Sequence, residues 1–176
     1  PVDAEQVGVT LTAGDDEVLL FSDAGRVIRF RESDVRPMGR AATGVRGMRL
    51  TAAPTSEEIG MDAQNPDPDH EADGEDSAQA GGHDHGARVI ALIVARGDDI
   101  ATLSERGYGK RTGIEQFPLR GRGGQGVIAQ PLSRKTGRLI GALEVRDEHQ
   151  IMLISDAGHL IRIEAREVKH LGRNTQ

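Results

Sequence analysis

The sequence predicts an all-β, propeller-like chain of about three blades, each of about four short strands. Three observations carry that expectation. A ten-residue phrase recurs as FSDAGRVIRF (Phe21–Phe30), LSERGYGKRT (Leu103–Thr112) and ISDAGHLIRI (Ile154–Ile163). The 23 glycines favour many turns over long helices. Hydrophobic residues, 36% of the chain, are mostly Val, Ile, Leu and Ala in short runs; with no Trp, one Tyr and three Phe, any core is aliphatic.

The first element in each repeat is a hairpin. Val18–Phe21 is apolar, Ser22-Asp23-Ala24-Gly25 turns the chain, and Arg26–Phe30 returns. Asp early and Gly last suit such a turn, because Gly tolerates the left-handed backbone it requires. Further strands are expected at Gly8–Leu11, at Val89–Val94 and at Leu139–Val145, with another near Gly44-Val45 or Gly126–Ile128. Three such blades leave an open arc of a larger disc.

With Gly25, Gly107 and Gly158 as position 0, position +4 is Arg29, Arg111 and Arg162. Position +14 is Gly39, Gly121 and Gly172, and +15 is Arg40, Arg122 and Arg173. Gly44 and Gly126 at +19 are each followed by Val. The first two glycines are 82 residues apart and the last two 51, a difference of 31. That excess matches Thr51–Ala87, which holds ten Asp and Glu and no Lys or Arg. Without aromatics, this stretch buries too little apolar area to offset its ordering entropy, so a disordered acidic surface loop is expected. The organisation predicted is repeat 1 over 1–50, the insertion over 51–87, repeat 2 over 88–138 and a truncated repeat 3 over 139–176.

The net charge of −6 conceals this partition, since 22 basic residues face 18 acidic ones outside the insertion. Such asymmetry suits a polyanion-binding body with an acidic appendage, and equally a soluble domain with an acidic loop. The ten negative charges, tethered beside a basic surface, are expected to compete with a polyanion for its arginines. The absence of Cys excludes disulfides and thiolate metal sites and fits a reducing compartment. No apolar run approaches the ~20 residues of a membrane span and no signal peptide is visible. A chain opening on Pro1 reads as a fragment or processed product.

Enzymatic chemistry is not indicated. There is no P-loop and no defensible Ser/His/Asp set. Tyr108 follows a repeat glycine where the other copies have Arg26 and His159, so it reads as structural. His83, His85 and His70 lie in a stretch that fixes no metal geometry. Asp69-x-Glu71-x-Asp73-Gly74 starts like a calcium loop, but the expected glutamate position falls on Ala80. Four aromatics offer few stacking platforms for single strands, which favours duplex over single-stranded nucleic acid.

Leu20–Leu50, Ser104–Pro118 and Ile151–Gln176 closely resemble the C-terminal domain of the DNA gyrase A protein, part of a type IIA DNA topoisomerase. The resemblance covers nearly the whole chain except the insertion. It implies about three consecutive blades of a six-bladed β-pinwheel, whose basic rim binds and bends double-stranded DNA without reading sequence. It also implies support of ATP-dependent negative supercoiling by a holoenzyme of gyrase A and gyrase B proteins, an A2B2 heterotetramer in the cytoplasm. ATP, Mg2+ and the tyrosine nucleophile belong to other parts of that holoenzyme, so no catalytic residue, metal or cofactor is expected in this segment. The family's box, Gln-Arg-Arg-Gly-Gly-Lys-Gly, belongs to the first blade. Arg120–Gly126 (RGRGGQG) stands at an equivalent position in degenerate form, with Gln125 for its lysine. The equivalent protein of topoisomerase IV and a propeller-type protein scaffold remain the alternatives. Affinity falling steeply with salt, without sequence preference, separates DNA wrapping from the scaffold.

A duplex binder of this kind needs a row of cations to displace condensed counterions. Arginine's planar fork also bonds phosphate oxygens in pairs. The candidates are Arg29, Arg40, Arg46, Arg49, Lys110, Arg111, Arg120, Arg122, Arg162 and Arg173. The competing reading has the +4 arginines pairing with following acids such as Asp34, Glu115 and Glu167 and locking the hairpins.

Overall fold

The computed structural model describes residues 8–50 and 86–175. Nearly all of the acidic stretch, with His70, His83, His85 and Asp69–Gly74, lies outside the described residues. The fold is all-β, with short 3₁₀ turns as its only helical elements among the described residues.

The strands are β1 (Glu17–Ser22), β2 (Arg26–Arg31), β3 (Val89–Val94), β4 (Asp99–Ser104), β5 (Gly109–Gly113), β6 (Val127–Ile128), β7 (Leu139–Val145), β8 (Gln150–Ile154) and β9 (Leu160–Glu164). Each repeat contributes one antiparallel hairpin: β1–β2, β4–β5 and β8–β9. The turns are closed by the same bond, from the glycine N–H to the serine carbonyl three residues back. It measures 3.0 Å at Gly25–Ser22, 2.9 Å at Gly107–Ser104 and 2.9 Å at Gly158–Ser155. The glycines sit at φ of +74°, +78° and +81°, a region L side chains avoid, which explains why the repeat is anchored on glycine. A one-turn 3₁₀ segment follows each hairpin, at Glu32–Asp34, Ile114–Gln116 and Ala165–Glu167.

The sheets do not follow the sequence repeats. The first has the order β3-β1-β2-β6, so hairpin 1 is flanked on both sides by strands lying further along the chain. The second has the order β5-β4-β7, and the third consists of β8-β9. The strand that precedes each later hairpin pairs with the hairpin before it, β3 with β1 and β7 with β4. Both pairings carry a register irregularity at the same repeat position, Phe21/Ser22 and Leu103/Ser104. The segment after each later hairpin also crosses back, bringing Leu119 alongside Arg29 and His170 alongside Arg111.

This pattern of pairing explains where the expected strands fail. Gly8–Leu11 and Gly44-Val45 are not strands. By the pattern of β3, β6 and β7, both would pair with the hairpin of a repeat before their own, and the described residues hold no hairpin before β1. Val9 and Leu11 are accordingly exposed.

The main core joins the first two sheets. Leu19, Phe21 and Val27 from hairpin 1 pack with Ile93, Ile100, Phe117, Ala129 and Leu139. The Phe117 ring meets Phe21 edge-on, with centroids 6.1 Å apart. A second cluster of Val18, Ile28, Phe30 and Met48 fills the other face of the first sheet. The third, Ala101, Val145, Ile151 and Ala165, joins the second sheet to the third hairpin.

Candidate nucleic-acid interface

The first two +4 arginines turn inward rather than toward a rim. Glu17 sits diagonally from Arg29 on the same face of the hairpin, since Leu19 pairs with Arg29 and Glu17 with Arg31. Arg29 Nε donates to Glu17 Oε2 at 2.7 Å. Its Nη1 donates to the carbonyls of Ile114 at 2.8 Å and Phe117 at 3.0 Å, in the 3₁₀ turn of the next repeat. Arg111 repeats the device. It pairs with Asp99 at 3.3 Å, the repeat counterpart of Glu17, and with Asp147. Its Nε donates to Val168 O at 3.2 Å, the counterpart of Phe117 O. These side chains are only 17% and 9% exposed. Arg29 and Arg111 are therefore latches between repeats, which corrects the expectation that they bind phosphate. The acids are also not the expected Asp34 and Glu115, because hairpin register places an acid eight residues before the glycine on the arginine's own face. In repeat 3 that position is Gln150. Arg162 is exposed, with no ion-pair partner among the described residues.

The +15 arginines of the later repeats form a second, more open latch. Arg122 Nη1 donates to Arg46 O at 3.1 Å and its Nε to Asp34 O at 2.8 Å. Arg173 Nη1 reaches Ile128 O at 3.4 Å. Arg46 and Ile128 both stand at position +21 of the preceding repeat, so the same reach recurs. Each guanidinium is half-buried, with one edge engaged by its own protein. Arg40 is exposed.

Lys110 also departs from expectation. It is 2% exposed, and its ammonium donates to Gly172 O at 3.0 Å, Arg173 O at 2.7 Å and Thr175 O at 2.6 Å. Burial, with the positive charge of Arg173, lowers its pKa from 10.5 to about 8. No phosphate can reach an ammonium enclosed in this way.

The remaining candidates converge on one place. The segment 120–126 bulges beyond β2 between the Leu119 bridge and β6. It is zipped to residues 46–49 of repeat 1 through Gly123 N–H to Gly47 O at 2.6 Å and Arg49 N–H to Gly124 O at 2.8 Å. Arg120 N–H is fixed on Arg29 O at 2.8 Å. The loop closes at Gly126, whose φ is +71° and where an added Cβ would sit 2.2 Å from Val27 O. The result is a double loop carrying exposed Arg46, Arg49 and Arg120, with Arg122 beneath them. Arg26 Nη1 braces its base through Gly126 O at 3.3 Å. The pairing of 46–49 with 120–126, across the acidic stretch, was invisible in sequence.

A second basic surface was missed altogether. Exposed Lys135 lies over the Tyr108 ring, 5.2 Å from its centroid, beside the β4–β5 turn that carries Arg106. The sequence signal was available in SRKTGR (Ser133–Arg138), but it falls outside the repeated positions. Tyr108 thus serves as a platform for a lysine, in keeping with its structural reading.

No helix among the described residues is long and apolar enough to cross a membrane. Among known proteins, the family model described as DNA gyrase C-terminal domain, beta-propeller, matches residues 16–52, 98–146 and 149–176. The chain is 44% identical over 173 residues to the DNA gyrase A protein of Klebsiella oxytoca, covering 98% of this chain and 16% of that protein. It is 42% identical over 173 residues to the Escherichia coli K12 protein, again 98% and 16%. With the Pseudomonas aeruginosa protein it shares 43% over 171 residues, 97% and 15%. The chain thus spans about one sixth of the length of these relatives. The fold superposes on a crystal structure of the C-terminal domain of DNA topoisomerase IV with a TM-score of 0.73 at 21% identity, covering 97% of this chain and 43% of that one. For a DNA gyrase A C-terminal domain the TM-score is 0.69 at 22% identity, covering 92% and 44%.

Proposed function

From the premise that this chain belongs to the DNA gyrase C-terminal domain, beta-propeller family, we propose that it binds duplex DNA through its phosphate backbone. The double loop of 46–49 and 120–126 is the central contact. In this reading the segment wraps DNA as part of a gyrase A protein and supports negative supercoiling by an assembly of gyrase A and gyrase B. ATP and Mg2+ act elsewhere in that assembly.

The observation that carries the reading is the grouping of exposed Arg46 and Arg49, with Arg120 alongside, on a glycine-rich double loop. Guanidinium forks held by rigid backbone offer paired bonds to phosphate oxygens and no fixed base-reading geometry. Bending a duplex costs roughly 1–6 kcal/mol per 20–30 base pairs, which several such contacts offset. Arg40 in repeat 1 and Arg162 in repeat 3 are further exposed cations offered to the duplex.

The test is duplex affinity measured from low to high salt, paired with linking-number analysis of plasmid relaxed by a separate topoisomerase in the presence of the full-length protein. A steep, sequence-independent salt slope and a shift in linking number are expected. A salt-insensitive or sequence-selective interaction would overturn the reading.

A further inference from the structure

Lys110 occupies position +3 of its repeat, where repeat 1 has Ile28 and repeat 3 has Ile161. In the first two repeats the +3 residue lies beneath the loop contributed by the following repeat. Ile28 is apolar core under residues 121–124, since a Cβ on Gly124 would lie 3.7 Å from its Cδ1. Lys110 lies in the same way under 172–175.

The two loops differ in how they are tied. Gly124 O at position +17 accepts the Arg49 N–H, which stands at +24 of the preceding repeat. The counterpart of Gly124 is Thr175, and the counterpart of Arg49 is Pro131. Proline has no N–H, so the equivalent bond cannot form. Thr175 O instead accepts from Lys110 Nζ at 2.6 Å, the shortest of its three bonds.

We propose that Lys110 is a positioning residue, its ammonium replacing the backbone donor that Pro131 removes and holding the 172–175 loop, with Arg173, in the form that meets phosphate. The role rests on the DNA-binding reading above, at the repeat 3 loop rather than at the double loop. The three N–H donors of the protonated amine match the three carbonyls, of which Gly172 O also accepts the Thr175 N–H at 3.0 Å. The charged group facing it from the loop is Arg173; directly across the hairpin stands uncharged Thr102, whose buried hydroxyl has no partner among the described residues.

The experiment compares the full-length protein with Lys110→Ile, which restores the residue of the other repeats, and Lys110→Met. Duplex affinity is measured at pH 7, together with amide exchange at 172–175 and in the double loop. Both variants are expected to fold, to expose the 172–175 amides to faster exchange, and to bind DNA about threefold more weakly at pH 7. Amide exchange in the double loop of 46–49 and 120–126 is expected to stay at the wild-type rate. Unchanged exchange at 172–175 and wild-type affinity in the variants would overturn the role, with the DNA-binding reading intact. Unfolding of both variants would overturn it too, making Lys110 a global core group. Absence of salt-dependent binding by the wild type would instead remove the reading beneath it.

Discussion

Arg29 donates to the carbonyl of Phe117 at 3.0 Å, so a hairpin of one repeat holds the 3₁₀ turn of the next. The Phe117 ring packs on Phe21 beside the same bond. One residue of repeat 2 thus receives both a charged hydrogen bond and an apolar contact from repeat 1. Arg111 and Val168 repeat the hydrogen bond one unit later.

Replacing Arg29 by Ala leaves Glu17 unpaired and takes the guanidinium from Phe117 O and Ile114 O, of which Ile114 O keeps the Phe117 N–H at 3.1 Å. A loss of about 3 kcal/mol is expected, near the cost of breaking a buried ion pair. Arg29→Lys should recover little, because a point charge cannot span a carboxylate and two carbonyls. Thermal unfolding checks both, and the salt slope of DNA binding should stay at the wild-type value.

The double variant Arg46→Ala/Arg49→Ala is expected to behave in the opposite way. Both side chains are exposed, so stability should move by no more than about 0.5 kcal/mol. Duplex affinity should drop roughly five- to tenfold, with the salt slope reduced by about 0.9 for each phosphate no longer neutralised. A melting curve and a salt titration on the same sample separate this outcome from that of Arg29→Ala.

Phe117→Ala removes the largest side chain that repeat 2 places in the shared core. A cost of about 3–5 kcal/mol is expected in denaturant unfolding. The transition should also lose cooperativity, since Phe117 joins the first two sheets.

Gly126→Ala forces a Cβ to within 2.2 Å of Val27 O at a φ of +71°. The double loop should detach from β2. Faster amide exchange at Val127 and Ile128, with weaker DNA binding, is the expected signature.

Stability should respond to pH through Lys110. Its pKa is about 8 in the fold against 10.5 in the unfolded chain. Between those values the unfolded state binds more protons, so stability rises with pH over that window. Below it both states are protonated and the cost of burying the charge is present in full. Chemical denaturation at pH 7 and pH 10 checks the sign. Lys110→Met should abolish the rise.

The sequence by itself determined the repeat, its glycine-anchored turns, the hairpins and the all-β class. These are local properties: a positive φ demands glycine, and alternating apolar residues demand a half-buried strand. It also determined that cations outnumber acids outside the insertion. Only the tertiary structure decided which cations face outward. The regularity of Arg29 and Arg111 arises because each of these junctions between repeats needs the same latch, and identical internal geometry imposes identical residues. Phosphate, being uniform along a duplex, imposes no such spacing, and the exposed arginines at 46, 49 and 120 are correspondingly less periodic. Their grouping depends on a backbone pairing between segments some seventy residues apart, fixed by sheet edges that cross from one repeat to its neighbour.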